Sequence, residues 1–163
     1  MTTKADFSAA EWETLRDAPN LVVLAVATAG ASGIFGSIAE AFAPSGVFYD
    51  VLKGNNDLLK VICQHDELKA STESIKGLAK SSGDFTSIQA TLRKAATDQS
   101  KAAVELLKQK GTPEDVAAYR DFLVKLGDKV ANAAKEGAFL GFGGERVSEH
   151  ERSLLAELAQ AVA

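Results

Sequence analysis

The side chains best suited to chemistry gather around a glycine-rich stretch near the C-terminal end of this 163-residue chain, GAFLGFGGERVS at positions 137–148. Glu136, Glu145, Glu149 and Glu151 stand on its two shoulders. Oxygen ligands drawn from a loop and the first turn of a helix suit a hard cation such as calcium or magnesium, so these four glutamates are the candidate metal ligands. The EF-hand spacing of acids is absent, and acids at a helix start equally serve the positive end of the helix dipole. Gly141-Phe142-Gly143-Gly144 has half of a dinucleotide fingerprint. No strand precedes it, however, Arg146 occupies the last glycine position, and the Lys-Ser/Thr pair of a phosphate loop is missing. Two other readings stay open for the loop. It is a connector pinned to the core by Phe139, Leu140 and Phe142, or an exposed aromatic binding loop.

Cys63, His65, Asp66 and Glu67 form the one thiol and imidazole cluster. On a continuous helix Cys63 and His65 point about 200° apart and cannot share a metal. With His150 the only other histidine, a three-histidine zinc centre is excluded, as is the paired Glu-x-x-His pattern of di-iron bundles. There is no G-x-S-x-G elbow, and no local arrangement of serine, cysteine and histidine activates a nucleophile. No catalytic residue is nominated, and the only cofactor reading is the divalent cation.

The elements that must position these residues belong to one domain, 1–163, within the usual range of about 100–200 residues. Hydrophobic residues make up 46% and charged residues 25%, which is a globular rather than a disordered composition. Lysine and arginine total 18 against 22 acids, so the net charge of -4 leaves no cationic surplus for a phosphate backbone and argues against nucleic acid. A single cysteine forms no intrachain disulfide, which suits a reducing compartment.

Apolar residues recur at three and four throughout, which predicts an all-α, single-domain compact bundle of about seven or eight helices. Ser8 with Glu11 has capping-box spacing and starts a short helix to about Asp17; Pro19 then opens a second, running to Ala29. A third covers Ile34 to Phe42. Leu21 to Ala39 is an uncharged run of nineteen residues. Its mean hydropathy of about 2 would mark a membrane span. Gly-Ala-Ser-Gly at its midpoint and the absence of basic flanks favour a central apolar hairpin, buried in the core, over a span or a signal peptide. Val47–Lys53 is a short amphipathic piece. Asn55-Asn56-Asp57 caps a helix to about Gln64, and a further helix carries Leu68, Ile75 and Leu78. Asp84 opens the longest helix, ended by Gly111. Thr112-Pro113-Glu114-Asp115 opens the next, ended by Gly137, and Ser148 with Glu151 opens the last.

The segments 21–42 and 130–162 share an outline. Val26-Ala27-Thr28-Ala29-Gly30 lies on Ala133-Ala134-Lys135-Glu136-Gly137, and Ile38-Ala39-Glu40-Ala41-Phe42 on Leu155-Ala156-Glu157-Leu158-Ala159. With Ser148-Glu149-His150-Glu151 ahead of Leu155 and Leu158, this plan resembles the tellurite-resistance TerB-like helical proteins. The resemblance covers the last 30 or so residues well and the first copy poorly. Glu136 stands where the family has Asp, the loop is longer and aromatic, and Ala29-Gly30 brings no acid. The resemblance implies a cytoplasmic, all-helical bacterial protein, non-enzymatic and linked to stress or tellurite resistance, with Glu136, Glu149 and Glu151 able to hold a divalent ion. The alternatives are a homo-oligomeric or partner-binding protein that buries the aromatic loop or the hairpin, and a membrane-associating one that uses the 21–43 hairpin.

Overall fold

A computed structural model describes residues 2–29, 46–136 and 147–163, and of residues 133–136 the backbone only. Among the described residues the chain is all-α: seven helices, one 3-10 turn at Lys4–Asp6, and no strand. The helices are α1 (Ala9–Ala29), α2 (Gly46–Lys53), α3 (Asp57–Ile62), α4 (His65–Lys80), α5 (Phe85–Lys110), α6 (Pro113–Glu136) and α7 (Glu149–Ala161).

The caps read from the sequence form. Ser8 and Glu11 exchange hydrogen bonds, the Ser8 N–H donating to the Glu11 carboxylate at 2.7 Å. The Asn56 and Asp84 side chains accept from Leu59 N and Ser87 N, each at 2.9 Å, satisfying helix amides that have no intrahelical partner. At the end of α5, a Cβ on Gly111 would stand 2.9 Å from the Leu107 carbonyl oxygen, so only glycine fits that approach.

Two expectations are corrected. The helix predicted to reach Gln64 ends at Ile62; Cys63 N–H bonds back to Leu59 O, and Gln64 starts α4. More consequentially, the break expected between Asp17 and Pro19 does not occur, because α1 runs unbroken through Pro19. A proline inside a helix removes the donor that should bond the carbonyl four residues back, here Leu15. The Tyr119 hydroxyl of α6 donates to that carbonyl at 2.7 Å, and Tyr119 is wholly buried. Asp17, free of any capping role, forms a two-pronged pair with Arg16 at 2.7 and 3.2 Å.

α1 is the central helix. Trp12, Leu15, Ala18 and Leu21 to Ala27 are buried, and α4, α5, α6 and α7 pack around them. This is the first arm of the predicted hairpin; Ile34–Phe42, the second arm, lies outside the described residues, as does the matching part of the proposed repeat. Among the described residues no helix is long and apolar enough to cross a membrane. Gly127 of α6 sets the approach of two neighbours: a Cβ there would meet Leu155 Cδ2 of α7 at 2.9 Å and Val22 of α1 at 3.6 Å.

Candidate functional site

The predicted cation ligands are placed unequally. Glu145 and the loop 137–146 lie outside the described residues, and Glu136 is the last residue of α6, its side chain not described. Glu149 is exposed at the first position of α7. Glu151 is 4% exposed and closes the capping box: its carboxylate accepts from Ser148 N at 2.6 Å, while Ser148 Oγ accepts from Glu151 N at 3.2 Å. Part of its ligating capacity therefore goes to starting the helix. Among the described residues no three acidic, histidine or cysteine side chains are grouped to hold a metal.

The Cys63 cluster is likewise dispersed. The chain does break between Cys63 and His65, but Cys63 turns into the core, where burial pushes its thiol up to about 12, and His65 is exposed. Glu67 serves the N-terminal segment. It accepts from Trp12 Nε1 at 2.9 Å and pairs with Lys4, whose ammonium lies over the Trp12 ring. Burial raises the Glu67 carboxyl, but the two donors outweigh it and leave the pKa below the ordinary value.

A different site emerges where α2 and α3 meet α6. Phe48 of α2 is 6% exposed and sits edge-on to Phe122 of α6, with ring centroids 5.8 Å apart, which docks the short helix by aromatic packing. Beside this contact a groove of about 630 Å³ opens between the elements. Val47, Val51, Leu59, Ala118 and Phe122 give it an apolar floor. Asp121, Lys125, Asp128, Lys129 and Asn132 of α6 rim one side, at spacings that keep them on one helix face, and Asp50, Asn55 and Asn56 rim the other. Asp121 and Lys125 form a solvent-exposed pair at 2.6 Å on this rim.

One end of the groove is fastened by a buried carboxylate. Asp115, 8% exposed in the first turn of α6, accepts from Asn56 Nδ2 at 2.9 Å, from Thr2 Oγ1 at 2.5 Å, and from the Thr112 N–H and hydroxyl at 3.2 and 2.9 Å. Burial raises its pKa, and these donors more than reverse that, leaving it below the usual carboxylate value. Asn56 thus caps α3 with its oxygen while tying α3 to α6 with its nitrogen.

Sequence reasoning placed each of these helices but missed the groove between them. The available signal was the α6 face carrying Asp121, Lys125, Asp128 and Lys129 next to Phe122. Such a face also reads as ordinary solvated surface until α2 is seen to dock against it. Compared with family models, curated proteins and solved structures, the chain matches none.

Proposed function

We infer that this protein is a non-enzymatic helical binding protein whose ligand enters the groove between α2–α3 and α6. The observation that carries this reading is the groove's make-up: an apolar floor of Val47, Val51, Leu59 and Phe122 under a rim holding both signs of charge. A concave site of several hundred Å³ with a few polar groups above apolar walls is what small-molecule binding sites look like. The ligand it suits is amphipathic, with an apolar body for the floor and polar ends for the Lys129 and Asp50 sides. The test is a fragment screen read by backbone amide NMR shifts. Shifts confined to Val51, Asn55, Phe122, Lys125 and Lys129 support the reading; a screen whose hits all map to other surfaces refutes it.

A second reading follows the TerB-like resemblance, in which a divalent cation is held at the connection between α6 and α7 in a stress-associated protein. This reading rests on the sequence likeness around Ser148-Glu149-His150-Glu151, where Glu151 closes the capping box of α7 and Glu149 is exposed beside it. Calcium or magnesium titration separates the two readings. Shifts at Glu136, Glu149 and Glu151, or at Glu145, support the cation site, and an unchanged spectrum removes it.

A further inference from the structure

The Asn56 end of the groove is tied to a part of the chain that does not line it, the segment 2–8 ahead of α1. That segment crosses the ends of three other helices. Lys4 pairs with Glu67 near the start of α4, its ammonium over the Trp12 ring, and Phe7 is buried with its ring centroid 6.2 Å from that of Trp12. The Lys110 ammonium, at the end of α5, lies 2.7 Å from the Glu11 carboxylate and 3.4 Å from the Asp6 carbonyl. The third crossing is at α6. Thr2 is 8% exposed, and its hydroxyl donates to Asp115 Oδ2 at 2.5 Å.

Asp115 divides its two oxygens between separate elements. Oδ2 accepts from Thr2 and from the Thr112 N–H and hydroxyl, while Oδ1 accepts from Asn56 Nδ2 at 2.9 Å. Thr112 is three residues away and keeps the carboxylate on α6; among the described residues, Thr2 and Asn56 are the donors that reach it from other elements. Asn56 lines the groove, and its Oδ1 fixes the N–H of Leu59, whose side chain belongs to the apolar floor. A continuous run of hydrogen bonds, from Thr2 to Asp115 to Asn56 to Leu59, thus joins the N-terminal segment to the groove wall. Hydrogen bonds to an ionised group are the strong ones, and in a buried network the loss of one member is felt by the rest.

We propose that Thr2 and Asp115 are positioning residues for the groove: the N-terminal segment, docked through Thr2, sets the place of Asn56 and α3 and so the affinity for the ligand. This rests on the groove being the ligand site. Seated, the segment covers Asp115 and leaves Oδ1 to Asn56. Lifted, it admits water to the carboxylate, the water competes with Asn56 for Oδ1, and α3 loses its tie to α6. An event that draws the segment away therefore weakens binding, and by linkage an occupied groove holds the segment down.

The test compares the full chain with Thr2→Val, which keeps the shape and removes the donor, and with Thr2→Ser, which keeps the donor. Amide hydrogen exchange and NMR shifts are read first, without ligand. Thr2→Val should speed exchange at Leu59 about fivefold and shift the Asn56 side-chain amide, while Thr2→Ser stays close to the wild type. Changes that stop at Thr112 and Asp115 overturn the proposal. So does faster exchange spread evenly over α5 and α7, which reports only a less stable fold. The probe for affinity is anilinonaphthalene sulfonate, an apolar ring system with one charged end, located by the amide shifts it causes. It should bind Thr2→Val about fivefold more weakly than the wild type, and equal affinity at the groove overturns the proposal while the groove stands. Shifts that avoid Val51, Phe122 and Lys129 in both proteins refute the groove as ligand site and the affinity claim with it; the exchange comparison then judges the tie from Thr2 to Asn56 alone.

Discussion

The Tyr119 hydroxyl donates to the Leu15 carbonyl at 2.7 Å, filling the place of the N–H that Pro19 lacks. A side chain on α6 thereby completes the backbone ladder of α1, and the central helix runs through a residue that would otherwise end it. Tyr119→Phe leaves that carbonyl buried and unpaired, at a cost of about 1–3 kcal/mol. Pro19→Ala restores a backbone donor, so the same Tyr119→Phe change should cost about 1 kcal/mol less in that background. Urea unfolding of the four proteins of this cycle measures the difference; full additivity would show that Tyr119 does not act through the proline gap.

Acid should weaken the fold through a few identifiable carboxyls. Hydrogen bonds from Lys110 and then Ser8 hold Glu11 at about 2 against an ordinary 4.5, and the Asp115 carboxyl is lowered despite its burial. Groups lowered in the folded state contribute stability above their unfolded pKa and lose it as pH falls through the folded value. Stability should therefore be level above about pH 5 and decline from there toward about pH 2. Asp115→Asn should flatten part of that slope in urea midpoints measured across the range. An unchanged slope would contradict the role given to Asp115.

At the alkaline end the sign reverses. Burial lifts Cys63 from 9.0 to about 12, and burial followed by the nearby Cys63 and Asp17 lifts Tyr119 well above 10.0. Both groups favour folding below their unfolded pKa, and that contribution is lost as pH rises above it. Thermal midpoints should therefore fall from about pH 9 upward, and Cys63→Ala should lessen the early part of the fall.

Gly127 separates two kinds of crowding. Its missing Cβ faces the flexible end of Leu155 on one side and Val22 on the other. Gly127→Ala should be tolerated within about 1 kcal/mol, because the better helix propensity offsets a small movement of Leu155. Gly127→Val adds branches toward both neighbours and should cost about 1–3 kcal/mol. Denaturant titration of the two variants orders them, and equal stability would remove the packing argument.

Glu151 and Glu149 should respond differently to truncation. Glu151→Ala breaks the capping box of α7 and should cost about 0.5–2 kcal/mol, whereas the exposed Glu149→Ala should stay within about 0.5 kcal/mol. If calcium or magnesium raises the melting temperature of the wild type and of Glu151→Ala alike, Glu151 is a cap rather than a ligand.

What was legible in the sequence was mostly local. Ser8 with Glu11, Asp84, Thr112-Pro113 and Ser148 with Glu151 each announce a helix start within four residues, and each start is there. The all-α fold follows from periodicity, which is equally local. Pro19 misled because its compensation comes from Tyr119, one hundred positions away, and no rule of neighbours reaches that far. Gly127 reads as an ordinary helix-weakening glycine until Leu155 and Val22 are seen against it. The groove was hidden for the same reason: Val51, Asn55 and Phe122 are unremarkable apart and form a site only once Phe48 has seated α2 on α6. The acidic loop attracted attention because its residues are adjacent in sequence, and part of it lies outside the described residues.

Whether a ligand enters the groove between α2–α3 and α6 can be seen in a crystal structure of the full chain soaked with the tightest-binding fragment. Density is expected for the fragment's apolar part against Val51, Leu59 and Phe122, and for its polar part within hydrogen-bond distance of Lys129 or Asp50. A fragment bound elsewhere, with the groove filled only by solvent, would contradict it.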